Sequence, residues 1–220
     1  MKMNNKIVGI IAAIVILAAG ILLFAPKPEE KKIDPLGELV FIKADLPPEL
    51  TEQYQKLFDA AKNDIQKDPG KYMAWIQIGQ TKLDAGDYEG AERAWRHIAE
   101  LKPDSYVAFR QLGYLYGYVV HDFPKAEAAY REVIKRDAGL ADSYTSLYDI
   151  YRSWEGKESL APQILLEGLQ NLKDEPYLIA ALARHYRYNN EIDKAIEYFE
   201  KLLAVDPQNQ EAQEALKNLK

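Results

Sequence analysis

The side chains able to make or break bonds are few and scattered. His97, His121 and His185 stand far apart, at no spacing that a metal site uses. The chain has 0 cysteines. That removes disulfides, thiolate metal ligands, haem attachment through cysteine, a thiol nucleophile and a lipid-modified cysteine anchor. No glycine-rich loop has the Walker or Rossmann form, and no serine stands in a nucleophile elbow. Glu29 and Glu30 are adjacent acids in a proline- and lysine-rich stretch, not an acid/base pair. The expectation is a protein that is not an enzyme, with no cofactor, no metal and no small-molecule substrate. The chemistry that remains is recognition by arginine and tyrosine. Arginine offers a planar fork of donors for carboxylates, and tyrosine a rigid ring with a polar tip.

The elements that must position such residues come next. The chain has 220 residues, 48% of them apolar and 28% charged, enough for a real core. Net charge is −6. The first 25 residues hold Lys2 and Lys6 and no acid, so the remainder carries 26 basic against 34 acidic residues. So acidic a body is a poor binder of nucleic acid, whose affinity comes mainly from neutralised phosphates.

Residues 7–25 are apolar without interruption, 19 in all. As a helix they would extend roughly 28 Å, about the hydrocarbon thickness of a bilayer. An uncleaved single-pass anchor is expected after the short flank 1–6. A cleaved signal peptide is the rival; against it stand the length of the run and Pro26 directly after Ala25. Lys2 and Lys6 before the span nearly balance Lys27, Lys31 and Lys32 after it. A signal anchor that places the C-terminal body outside the cytoplasm is the expected orientation. Residues 26–47 form a linker, stiff and charged from Pro26 to Pro35, with a short apolar run from Leu39 to Ile42. That run is expected either to pack beside the first helix of the body or to dock on it as an internal pseudo-ligand.

The body repeats. Trp75, Phe109, Tyr144 and Ile179 are spaced 34, 35 and 35 apart, and Ile78, Leu112, Leu147 and Leu182 follow the same spacing. Ala91, Ala126, Ala161 and Ala195 are spaced 35, 35 and 34, as are Trp95, Tyr130, Leu165 and Phe199. The second and third units each carry one extra residue, expected in the turn between their two helices. Asp122 with Pro124, and Ser159 before Pro162, read as helix starts. Pro69, Pro103 and Pro207 read as stops.

Trp75, Ile78-Gly79, Gly86, Tyr88, Ala91, Trp95 and Pro103 together resemble the tetratricopeptide repeat. The departures are Tyr148 and Ala183 for a glycine, Lys82 for the tyrosine present as Tyr116, Tyr151 and Tyr186, and Lys173 for a closing proline. The resemblance covers nearly all of residues 48–220. It implies an all-α fold, a right-handed solenoid of antiparallel helix pairs behind the transmembrane helix. The expected order is a capping helix 48–66, repeats 72–105, 106–140, 141–175 and 176–209, and a polar C-terminal cap 210–220.

In this family the first helix of each unit lines a concave groove. That places Met73, Ile76, Gln80 and Asp84 on the inner face of the first unit, and Arg110, Tyr114 and Tyr118 on that of the second. The third contributes Asp142, Thr145, Asp149 and Arg152, and the fourth Tyr177, Arg184, Arg187 and Tyr188. Such a face implies a membrane-tethered scaffold that binds an acidic segment of a partner protein, as in the assembly of an envelope complex. The alternative is a structural membrane protein that self-associates. The family's carboxylate clamp is not expected, because Ile76 and Gln80 occupy two of its positions.

Overall fold

The computed structural model describes residues 36–43 and 46–220. The anticipated membrane span 7–25 lies outside the described residues. Among those described, no helix is long and apolar enough to cross a membrane.

Ten α-helices follow one another in the described chain. Helix α1 (Pro48–Lys67) precedes four antiparallel pairs. These are α2 (Tyr72–Ala85) with α3 (Tyr88–Leu101), α4 (Val107–Tyr114) with α5 (Phe123–Arg136), α6 (Ala141–Ser153) with α7 (Leu160–Asn171), and α8 (Pro176–Tyr188) with α9 (Ile192–Val205). Helix α10 (Gln210–Leu219) closes the stack. Each helix packs on the next in sequence, and the first helices of the third and fourth units also touch. The result is a tetratricopeptide-type helical repeat, stabilised mainly between neighbours.

Local chemistry sets the helix limits. Asp87, Asp122 and Asn209 accept the backbone N–H of Gly90, Lys125 and Ala212, which caps α3, α5 and α10. Ser159 precedes α7 but makes no such bond; its backbone is already helical, so its hydroxyl is not aimed at the free N–H groups. Gly86 ends α2 in the left-handed conformation at φ 87°, where a Cβ would be strained.

Pairs close where small residues face large ones. Trp95 is fully buried, and a Cβ on Gly79 would fall 2.1 Å from its Nε1. In the second unit a Cβ on Gly113 would fall 2.8 Å from the Tyr130 ring. These glycines let first and second helices approach with an aromatic ring between them.

The two extra residues are accommodated differently. In the third unit the chain leaves α6 at Ser153 and enters α7 at Leu160, so the extra residue lies in the turn as expected. In the second it does not. Helix α4 continues as a π-helical turn, Leu115–Val119, and the insertion is taken up inside the helix. Leu115, Tyr116 and Gly117 are buried within this wider turn.

Residues 36–43 run across the first unit as an extended strap. Leu36 and Leu39 pack on the core, while Val40 and Ile42 are exposed. The N–H groups of Ile42 and Lys43 both donate to the Ala85 carbonyl, at 3.0 and 3.2 Å. Lys82 reaches the strap from below. Its side chain is fully buried, and its ammonium donates to the Glu38 carbonyl and, at 3.0 Å, to Asp87. It also lies 5.3 Å from the centre of the Phe58 ring on α1. Lysine replaces tyrosine here because this unit's neighbour is a strap with a free carbonyl. Tyr116 and Tyr151 instead meet Arg96 and Glu127 on the second helix of the preceding unit.

Candidate interaction face

Successive first helices present equivalent positions in rows. Gln80, Tyr114, Asp149 and Arg184 form one row at the same 34, 35 and 35 spacing as the core landmarks. Met73, Tyr114, Tyr118, Tyr177 and Tyr188 are all exposed large side chains of the first-helix segments. Tyr177 and Tyr188 are 77% and 81% accessible, which no packing role explains.

The predicted residues fall into three groups. On the first unit, the Gln80 amide donates to Asp84 at 3.0 Å. On the second, the rings of Tyr114 and Tyr118 lie 5.6 Å apart, and the Tyr118 hydroxyl donates to the Ser146 carbonyl at 3.5 Å. Arg110 lies 3.7 Å from Asp142 and against the Tyr106 ring. On the third and fourth, Asp142, Thr145, Asp149, Arg152, Tyr177 and Arg184 line one cleft of about 480 Å³ between α6 and α8. Arg187 and Tyr188 stand beside it and do not line it.

The arginines are not equivalent. Arg184 donates from Nε to both Glu211 oxygens, at 2.9 and 3.0 Å, and Arg187 approaches the same carboxylate at 3.5 Å. Glu211 belongs to the first turn of α10, where a carboxylate also faces the positive end of the helix dipole. The Arg184 bond holds its carboxyl below the usual range, against the opposing effect of partial burial. Arg152 has no carboxylate within ion-pair distance among the described residues. It lies 5.3 Å from the Tyr148 ring and 5.8 Å from the Tyr188 ring. Asp149 likewise lacks an ion pair among the described residues. Burial pushes its carboxyl up, with the Arg152 charge and the nearby Tyr118 hydroxyl pulling the other way.

Three participants were not anticipated: Glu211, Tyr148 and His185. Glu211 reaches the face from 27 residues beyond Arg184, and nothing in the local sequence of α10 marks it. Tyr148 was identifiable, since a large ring in place of the glycine of the first two units must find room at the surface of the pair. Its hydroxyl meets His185 Nδ1 at 3.4 Å, and burial lowers the His185 pKa. A second cleft of about 570 Å³ lies among α7, α8 and α9, bordered by Leu166, Leu169, Ile179 and Tyr198. It carries no exposed aromatic residue. Among the described residues, no cluster of histidine and carboxylates could hold a metal ion.

Comparison with known proteins agrees with this architecture. Residues 176–209, the fourth unit, match the tetratricopeptide repeat family model. No curated protein sequence matches the chain. Among solved structures, MamA aligns at 20% identity and a TM-score of 0.57 over 74% of this chain and 94% of its own. PilW, described as a widely conserved type IV pilus biogenesis factor, aligns at 17% identity and 0.54 over 76% and 80%. YrrB, described as a tetratricopeptide repeat protein with an unusual peptide-binding site, aligns at 15% identity and 0.52 over 73% and 81%. At these identities the likeness concerns the fold.

Proposed function

We propose that this protein is a scaffold, tethered to a membrane through residues 7–25, whose inner face holds a segment of a partner protein. The observation that carries this reading is the gathering of exposed tyrosines and charged groups on first helices around the cleft between α6 and α8. Aromatic and arginine side chains of this kind anchor protein interfaces, because they supply contact area at low entropy cost. A peptide-binding site in YrrB and a role in pilus biogenesis for PilW, both on the same fold, agree with it. Assembly of an envelope complex, with the repeat body outside the cytoplasm, is the setting that fits an uncleaved anchor.

A photo-reactive amino acid placed at Tyr177 or Tyr188 of the full-length protein in its native membrane tests the reading. It should capture a specific partner that the same probe at Tyr198, in the second cleft, does not. Equal capture from all three positions, or from Tyr198 alone, would move the site off the inner face. A reporter active only outside the cytoplasm, fused after Lys220, tests the orientation separately; an inactive fusion would reverse it.

A further inference from the structure

The inner-face arginines already hold a carboxylate, and the chain itself supplies it. Counted by the repeat, Met73, Val107, Asp142, Tyr177 and Glu211 form a row at 34, 35, 35 and 34 spacing, so α10 holds the position of a first helix. Two members of this row are acids, and each is met by an arginine of the preceding first helix. Asp142 lies 3.7 Å from Arg110. Glu211 accepts from Arg184 Nε through both oxygens, at 2.9 and 3.0 Å, with Arg187 at 3.5 Å.

The junction between these two is built differently. Between α6 and α8 the residue in the place of Arg184 is Asp149, and the one in the place of Glu211 is Tyr177. Among the described residues no ion pair spans this junction, and here the cleft opens. Arg152 lines it from α6 and Arg184 from α8. Asp142 and Asp149 line it too, Asp142 being engaged by Arg110. Asp149 opposes an anion on the α6 wall, which favours the α8 wall, where Arg184 stands. A guanidinium that binds one carboxylate through a fork of donors accepts another in the same way. The Arg184–Glu211 pair is partly exposed, so it contributes little and exchanges readily. Helix α10 itself buries only Ala212 and Ala215.

We infer that Glu211 is an internal competitor for the ligand of this face. The partner segment presents an aspartate or glutamate that takes its place on Arg184, within the field of Arg152. Helix α10 thereby sets the affinity of the face. This rests on the scaffold reading and adds to it the group that the ligand must displace.

A display library of random ten-residue peptides, panned against the full-length protein in nanodiscs, supplies the probe. The enriched peptide should carry an aspartate or glutamate, and is remade with both ends capped so that its only carboxylates are side chains. It should bind Glu211→Gln about three- to fivefold more tightly than the parent, the amount by which a partly exposed ion pair opposes it. The gain should vanish when Arg184→Gln is added to Glu211→Gln, and for the same peptide with its acid changed to the amide. Both variants should unfold within about 4 °C of the parent, which separates lost competition from lost structure. Equal or weaker binding to Glu211→Gln, a gain that survives the loss of Arg184, or enrichment of basic peptides, of apolar peptides or of none overturns the inference. The scaffold reading fails separately, if photo-crosslinking from Tyr177 and Tyr188 captures no partner.

Discussion

Lys82 with Asp87 and Arg152 with Asp149 are the same kinds of side chain put to opposite uses. At the N-terminal end of the stack the ammonium is sealed beneath the strap, and both of its partners are internal. On the inner face the guanidinium and carboxylate lie one turn apart on α6, exposed and without an ion pair among the described residues, the guanidinium against the Tyr148 and Tyr188 rings. Burial separates the two cases. A buried cation that loses its partner keeps the full cost of its lost hydration, whereas an exposed one regains water. The first pair therefore holds the fold, and the second is available to a ligand.

The largest expected effect follows from this. Asp87→Ala strands the Lys82 ammonium and removes the cap on Gly90, and should cost about 3–5 kcal/mol by chemical denaturation. Lys82→Met leaves the Asp87 carboxylate without its cation, but Asp87 keeps its bond from the Gly90 N–H and lies nearer to solvent than Lys82. The loss of global stability should therefore be smaller, about 1–3 kcal/mol. The strap should nevertheless exchange its Ile42 and Lys43 amide hydrogens faster. If Asp87→Ala were as mild as Lys82→Met, the pair would be no more structural than the inner face.

Gly79→Ala comes next. The added methyl would overlap Trp95, which is fully buried and cannot turn aside, so a loss of about 1–3 kcal/mol is expected on thermal unfolding. Glu211→Gln sharpens the comparison from the other side. It releases Arg184 and Arg187 at a partly exposed site, and should lower stability by less than about 1 kcal/mol. It should also strengthen binding of acidic peptides. The Glu211 carboxyl is held below its usual range in the folded protein. Its contribution is therefore fully present above pH ~4.5 and is lost as pH falls through the lower folded value. The variant should lack that part of the acid transition.

How far these features were legible in the sequence depended on the kind of signal. The helix pairs were, because Trp75, Ala91, Trp95 and their counterparts recur at a fixed spacing imposed by packing. The capping role of Asp122 was, because it is local. The π-turn at Leu115–Val119 was not. An extra residue between Leu112 and Ala126 fits a longer turn or a wider helix equally well, and only the backbone of Leu115–Val119 decides. Lys82 was visible as an exception to the tyrosine pattern. Its reason was not, since it lies 44 residues away in the carbonyl of Glu38. On the inner face the positions of Arg110, Arg152, Arg184 and Arg187 followed from the repeat. Which of them remained without an ion pair depended on Asp142 and Glu211, whose rotamers no periodicity fixes.

The smallest effect is the most specific. His185 lies against Tyr148, and its pKa is lowered from the ordinary histidine value, first by burial and further by Arg152 and Lys194, with Glu191 opposing. A histidine that resists protonation only when folded lets the unfolded chain bind more protons. Stability is then complete above pH ~6.5 and falls as pH drops through the lower folded value. Arg152→Gln removes one of the charges that hold the pKa down, so the His185 titration followed by NMR should move upward. Global stability at pH 7 should stay within about 0.5 kcal/mol of the parent. A bound peptide carboxylate at Arg152 would act on the same proton in the same direction, which makes His185 a reporter inside the face. An unmoved titration in both cases would place Arg152 elsewhere than over the Tyr148 and Tyr188 rings.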